Sequence, residues 1–276
     1  MVLGSRGRVI TLEMTDKGAV SVGEDASLLA ASTRLPRGAY TTLRTYGGRG
    51  VVRLGAHLRR LQESVAGQGH PASVDPQAAR RLVGAALRAG GHPESRLRLT
   101  FAPPRLFASV EAFAHPPRSR YAKGAACVTL DLHRDQPRVK DTGFLPTAGR
   151  AYAGLPPGVE EGLLLADDGS ILEGLSSNFF AVLGGRLRTE DERVLPGITR
   201  ALVLEVVADF LPFDPRAPRR DDLPHLEEAF ITSASREVLP VVDIDGAPVG
   251  DGRPGPHTRA IMEAFAALIR REAETL

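Results

Sequence analysis

Four places in this sequence hold residues whose types suit covalent or anion chemistry. The first is Lys140, in "QPRVKDTGFLP" (136–146). Lysine is nearly absent: of the 35 Lys and Arg residues, only Lys17, Lys123 and Lys140 are lysine. A GC-rich genome favours arginine codons and explains most of that imbalance. A lysine kept in such a chain is a candidate for work that arginine cannot do, because an amine can lose its proton and form a Schiff base, whereas a guanidinium stays protonated. The second is Glu173 in "ILEGLSSN", at the end of a strand-like run beside Gly174, Ser176 and Ser177, where a carboxylate can face a pocket. The third is "LPGITR" (195–200). Gly197 permits close backbone approach, and the N–H groups of Ile198 and Thr199 open a helix, which makes an anion site. The fourth is "HLRRLQES" (57–64), whose Arg59 and Arg60 offer forked donors to a phosphate. Singly, each has a plainer explanation: an incidental lysine, a solvated glutamate, an ordinary loop-to-helix junction, a solvated helix face.

The four serve a single ligand if it carries an aldehyde, a protonatable ring nitrogen and a phosphate. Pyridoxal phosphate carries all three. A lysine forms the imine, a carboxylate keeps the pyridine nitrogen protonated so that the ring takes up electrons, and an arginine with a helix terminus holds the phosphate. Other chemistries lack their residues. "GLSSNF" is not the glycine-serine-glycine elbow of hydrolases, and no glycine-rich loop ends in Lys-Ser or Lys-Thr. The seven histidines have no zinc-type spacing, so no metal is expected; His57 and His257 sit beside helical stretches as solvated or structural residues.

Composition narrows the class. Hydrophobic residues at 42% and charged residues at 25% are globular values, and 276 residues suffice for one large domain or two of ordinary size. A net charge of +2 demands neither nucleic acid nor an anionic membrane as partner. Cys127 is the single cysteine, which rules out an intrachain disulfide. The opening "MVLGSRGRVITLEM" has no long apolar run of the signal-peptide kind. No stretch approaches the roughly 20 apolar residues of a membrane span. The expectation is a soluble, cytoplasmic protein.

The candidate residues must be positioned by an α+β / α/β chain. "GRVITLEM" reads as a strand, and "AYTTLRTYGGRGVVRL" as a hairpin turning at "GGRG". "GAHLRRLQESVAG" has Leu58, Leu61 and Val65 on one helical face. "DPQAARRLVGAALRAGG" is a second helix, with Asp75 as N-cap, Pro76 in its first turn and Gly90–Gly91 as its stop. "SRLRLTFAP" and "RLFASVEAFA" alternate as paired strands. These elements define a small N-terminal domain over residues 1–114. The proline-rich "HPPRSRYAKG" (115–124) reads as a linker. Residues 125–276 form a larger domain carrying Lys140. It comprises the strand "AACVTLDL", a short helix in "TAGRAYAGL", an antiparallel meander through "EGLLLADDGSILEGLSSNFFAVLGGRLRT", a helix after "LPGITR", a strand in "EEAFITSAS" and a terminal helix.

These motifs resemble those of the fold-type IV pyridoxal-phosphate enzymes, the class IV aminotransferases. That family includes branched-chain aminotransferases, D-amino-acid aminotransferases and aminodeoxychorismate lyase. The resemblance runs from Gly38 to Phe265, through "GAYTTLRTYGG", "HLRRLQES", "VKDTGF", "EGLLLADDGSILEGLSSNFFAV", "LPGITRALVLEV" and "ITSASREVLPVVDIDGAPVGDGRPGP" in the family's order. It implies two domains with the cofactor at their interface, and a homodimer. It implies that Lys140 carries the internal aldimine and acts as base and acid for the proton shift. By the same resemblance Glu173 meets the pyridine nitrogen, and Arg60, not Arg59, takes the phosphate with Ile198 and Thr199. The loop Thr232–Ser235 completes the site, with Ser235 toward the phosphate and Ser233 and Ala234 toward the substrate carboxylate. Tyr40 and Arg98 line the substrate pocket.

The chain also departs from the family pattern. Tyr40-Thr41 stands where aminotransferases usually have Phe-Glu, and the Thr41-Thr42 pair is reminiscent of the lyase branch. Leu35 replaces a tyrosine over the pocket, Gly143 a common asparagine, Leu145 a tyrosine near the cofactor oxygen, and Ala234 a hydroxyl residue. "TSASREVLPV" is most like the branched-chain subgroup. The implied activity is therefore amino transfer between an aliphatic amino acid and a 2-oxo acid. The alternatives are aminodeoxychorismate lyase, a D-amino-acid aminotransferase, or a protein that binds the cofactor without turnover. Lys140 argues against the last, since binding alone needs no proton-shuttling amine.

Overall fold

The computed structural model describes residues 8–208 and 210–276. Residues 1–7, which hold the opening of the N-terminal stretch and the start of its expected strand, lie outside the described residues. The chain divides into two compact units. The first comprises Met1–His115, Val139–Pro146 and Glu272–Leu276, and the second Pro116–Arg138 and Thr147–Arg271.

The first unit is built on five strands: β1 (Val9–Thr15), β2 (Gly18–Asp25), β3 (Ala39–Arg44), β5 (Ser95–Ala102) and β6 (Arg105–Ala112), with the two-residue β4 (Gly50–Val51) outside the sheet. They form one antiparallel sheet in the order β2-β1-β6-β5-β3. Its helices are α1 (Leu28–Arg34), α2 (Leu54–Gly67) and α3 (Pro76–Gly90). In β5 the apolar residues alternate, so Leu97, Leu99 and Phe101 enter the core while Arg96 and Arg98 take the other face. Leu58, Leu61 and Val65 of α2 and Leu82, Val83, Ala86 and Leu87 of α3 pack into that core. Each fully buried leucine contributes about 1.5–3 kcal/mol. Asp75 caps α3 by accepting from the Gln77 N–H at 2.8 Å, and Gly91 ends it in the left-handed conformation, as the sequence predicts.

Three expectations change here. The "GGRG" stretch does turn, through paired Tyr46 and Gly50 backbone bonds, but β3 and β4 form no hairpin. β3 pairs along its length with β5, while β4 pairs with the C-terminal strand Glu274–Thr275. Arg53, in the left-handed region at φ 53°, turns the chain into α2 too soon for a longer second strand. The expected linker contains a helix, α4 (Arg118–Lys123), and all but its first residue groups with the second unit. Lys140 groups with the first unit rather than with residues 125–276. The reason is hydrogen bonding. β3 is the sheet edge, and the Lys140 segment covers it: the Tyr40 N–H donates to the Lys140 carbonyl at 2.9 Å, and the Thr142 N–H to the Gly38 carbonyl at 3.0 Å.

The second unit holds β7 (Ala125–Leu130), β8 (Val159–Leu165), β9 (Ile171–Gly174), β10 (Asn178–Leu183), β11 (Arg186–Arg188), β12 (Phe213–Asp214), β13 (Glu228–Ser233), β14 (Glu237–Ile244) and β15 (Ala247–Pro248). Their order is β12-β11-β10-β13-β14-β7-β8-β9, with β15 on β14. β9 also meets β10, at Glu173 opposite Asn178, so six strands close on themselves. The closure buries Cys127, Leu163, Ile171, Phe179, Ile231 and Leu239 together. The helices are α5 (Leu145–Ala153), which starts in the first unit's segment, α6 (Ile198–Val207) and α7 (Pro256–Glu272). No helix among the described residues is long and apolar enough to cross a membrane.

Candidate active site

In the first unit the Lys140 backbone is held on both sides. Its carbonyl accepts from Tyr40, and its N–H donates to Ser64 Oγ of α2 at 3.1 Å. The half-buried side chain brings Nζ to 4.9 Å from the centre of the Tyr40 ring. Arg98 reaches the same ring, with Cζ at 4.8 Å. Its Nη1 donates to Ser32 Oγ at 2.6 Å and to the Leu28 carbonyl at 3.1 Å, and its Nε is buried without a hydrogen-bond acceptor among the described residues. Lys140, Tyr40 and Arg98 thus form one group on the β3–β5 edge.

Arg60 lies beneath, on α2, 6% exposed. Its Nη2 donates to Thr41 Oγ1 at 2.8 Å, and Thr41 Oγ1 lies 2.7 Å from His57 Nδ1. A guanidinium only donates, so Thr41 Oγ1 accepts from Arg60, while its bond with His57 Nδ1 runs in the direction that the tautomer of the ring sets. Burial, then the charges of Arg60 and Lys140, pushes the His57 pKa well below its ordinary 6.5, which favours the neutral ring. His57 is therefore a buried partner of the candidate residues and not a solvated one.

The departures Leu35 and Gly143 also fall in this unit. Leu35 packs against Ala102 and Phe107, so it is a core residue. A Cβ on Gly143 would lie 2.7 Å from the Arg37 guanidinium, which pairs bidentately with Asp141 next to Lys140. A side chain there would displace that ion pair.

In the second unit Glu173 is buried where β9 meets β10. Oε1 accepts from Arg134 Nη1 at 2.7 Å; Oε2 accepts from the Leu195 N–H at 3.1 Å and from Asn178 Nδ2 at 3.3 Å. Arg134 compensates the charge of the buried carboxylate. Asn178 Nδ2 also donates to the Leu195 carbonyl at 2.8 Å, which ties Glu173 to the loop entering α6. Gly197 is the N-cap of α6, with no side-chain cap, and leads directly into Ile198 and Thr199. A Cβ on Gly197 would lie 2.0 Å from Asn178 Oδ1. The glycine is thus required by the approach of Asn178. Ser233 ends β13, and Ala234, Ser235 and Arg236 turn the chain into β14, with Ser233 Oγ accepting from the Arg236 N–H at 3.2 Å.

The sequence offered no signal for Arg134 or Arg236. Arginine is so common here that a functional one does not stand out. Among the described residues, no group of three or more His, Cys, Asp or Glu could hold a metal ion.

Solved structures share this architecture. A branched-chain amino acid aminotransferase of T.th., with pyridoxamine 5'-phosphate, superposes with a TM-score of 0.80 at 21% identity, over 95% of this chain and 94% of that one. A hypothetical aminotransferase from Mycobacterium tuberculosis, in its apo form, gives 0.75 at 24% identity, over 94% and 98%. These likenesses define the fold, which is that of the fold-type IV enzymes, as the motifs imply. The amino-transferase class IV family model matches residues 38–244. The chain belongs to the class IV aminotransferase family.

Curated relatives match shorter stretches. D-alanine aminotransferase of Staphylococcus aureus (strain COL) is 37% identical over 103 residues, 36% of each chain. Branched-chain-amino-acid aminotransferase of Escherichia coli (strain K12) is 35% identical over 120 residues, 42% of this chain and 39% of that one. The matched stretches thus span less than half the length of either relative.

Proposed function

We propose that this chain is a pyridoxal-phosphate-dependent aminotransferase, moving an amino group between an aliphatic amino acid and a 2-oxo acid. The observation that carries this is Lys140. A lysine in a chain that avoids lysine is clamped by backbone bonds to β3 and α2, with its amine at the Tyr40 ring.

The donor set fits the cofactor. Lys140 offers an amine for the aldehyde. Glu173, charge-compensated by Arg134, offers a carboxylate for the ring nitrogen. Arg60, the N–H groups of Ile198 and Thr199, the Thr199 hydroxyl and Ser235 serve the phosphate. When bound, pyridoxal phosphate supplies a ring that takes up electrons from the bond being broken. The chain's residues do the rest. Lys140 Nζ carries the proton away from and back to the substrate carbon. Thr41 orients Arg60. The family resemblance assigns Tyr40 and Arg98 of the first unit, and Ser233 and Ala234 of the second, to the amino-acid substrate. We further propose a homodimer.

The substrate class draws support from "TSASREVLPV" and the branched-chain relative. The D-alanine aminotransferase relative supports a second reading, in which the donor is a D-amino acid. Purified protein given pyridoxal phosphate should absorb in the visible and lose that band with a true donor. A panel of leucine, glutamate, D-alanine and D-glutamate separates the two readings, and pyruvate release from aminodeoxychorismate without an acceptor would favour the lyase. Lys140→Ala should abolish turnover. A chain that binds no cofactor, or a Lys140→Ala variant at the wild-type rate, would overturn the proposal.

A further inference from the structure

Glu161 in β8 is fully buried, and none of the roles above uses it. Its Oε1 accepts from the Tyr152 hydroxyl at 2.6 Å; its Oε2 accepts from Arg236 Nη2 at 2.6 Å and from Ser177 Oγ at 2.8 Å. Arg236 Nη2 also donates to Ser176 Oγ at 2.9 Å, and Ser176 Oγ lies 2.5 Å from the Tyr152 hydroxyl.

The chemistry of these groups orders the protons. A guanidinium only donates and a carboxylate only accepts. Ser176 takes a hydrogen from Arg236 and gives its own to Tyr152, and Tyr152 gives its own to Glu161. Arg236 then closes the ring on Glu161. Each bond polarises the next. Burial, with Glu161 nearby and despite Arg236, raises the Tyr152 pKa, so the phenol keeps the proton that the ring needs.

The ring joins three segments to β8: the end of α5, the turn between β9 and β10, and the turn between β13 and β14. The second turn follows Glu173. The third carries Ser233, Ala234 and Ser235, and Arg236 grips Ser233 Oγ through its N–H at 3.2 Å and its Nε at 3.4 Å. Apolar residues of similar volume often replace a buried ion pair without loss of stability. What they cannot supply is this directional link to the serine turn.

We propose that Glu161 and Arg236 are positioning residues that set the Ser233–Ser235 turn for the carboxylate of the amino-acid substrate. This rests on the aminotransferase reading above. In Glu161→Gln the ring cannot keep all its bonds, because the amide has a single acceptor oxygen and its NH2 must face either Tyr152 or the donors Arg236 and Ser177. The variant should keep the visible band of bound cofactor and a near wild-type kcat, while KM for the amino donor rises about 10- to 100-fold. Amide exchange at 233–236 should quicken about tenfold in the protein without cofactor. The double variant Glu161→Leu/Arg236→Met carries the test if Glu161→Gln fails to fold. It should recover the melting temperature yet keep the raised KM and the fast exchange. A double variant with wild-type KM and exchange would show the pair to be structural only and overturn the proposal. If the chain binds no cofactor, the aminotransferase reading fails by itself. The exchange measurement still decides the ordering of the turn, and unchanged exchange refutes it.

Discussion

Thr41→Val keeps the shape of the side chain and removes only its hydroxyl. It therefore tests whether Thr41 connects Arg60 to His57. The hydroxyl accepts from Arg60 at 2.8 Å and lies 2.7 Å from His57 Nδ1. Thr41 is 0% exposed, Arg60 6% and His57 5%, so water cannot replace the lost partner. A hydrogen bond to a charged group is worth about 1.5–3 kcal/mol and a neutral one about 0.5–1.5, so the variant should lose about 2–4.5 kcal/mol. No cavity opens, because a methyl group takes the place of the hydroxyl. The chain has no tryptophan, so urea unfolding without cofactor is followed by far-ultraviolet circular dichroism and extrapolated linearly. Amide exchange of α2 and β3 locates the loss in the first unit. Thr41→Ser, which keeps the hydroxyl, should retain most of the stability. A loss below about 0.5 kcal/mol for Thr41→Val would refute the connection, since it would mean that neither bond contributes.

Three other outcomes are expected. His57 is held neutral, so below its ordinary pKa of 6.5 the unfolded chain binds a proton that the folded chain refuses. Stability should then rise with pH through that window and fall by up to about 1.4 kcal/mol per unit as the pH drops from 6.5 toward the lowered value. His57→Gln should flatten that part of the curve, as read from urea unfolding at a series of pH values. Gly197→Ala forces Asn178 away from Glu173 and Leu195. It should cost about 1–3 kcal/mol in unfolding and weaken cofactor affinity in a spectral titration. Burial raises the Cys127 thiol pKa well above its usual range, so a thiol reagent should label the chain only after denaturation.

Local patterns were legible in the sequence. Period-two alternation marked β5 and β6, one-face apolar spacing marked α2, and start and stop residues marked α3. Asp75 and Gly91 cap α3 through bonds that reach only a few residues. The strand end at Glu173 and the helix entry at Gly197–Thr199 were legible as well, because each sits at the border of an element whose type can be read locally. Family motifs in the right order carried the fold beyond that.

Pairing across long sequence distances was decided only by the tertiary structure. The "GGRG" hairpin failed because β4 takes a C-terminal partner 223 residues on, at Val51 opposite Glu274. Lys140 joined the first unit because an edge strand leaves N–H and C=O groups that something must satisfy, and the chain after Val139 does so. Arg134 behind Glu173, Thr41 between Arg60 and His57, and the proton ring around Glu161 were equally invisible. Each consists of side chains from separate elements whose roles depend on hydrogen-bond direction and burial. Composition and spacing identify which groups are present, and only the packed fold determines which donor meets which acceptor.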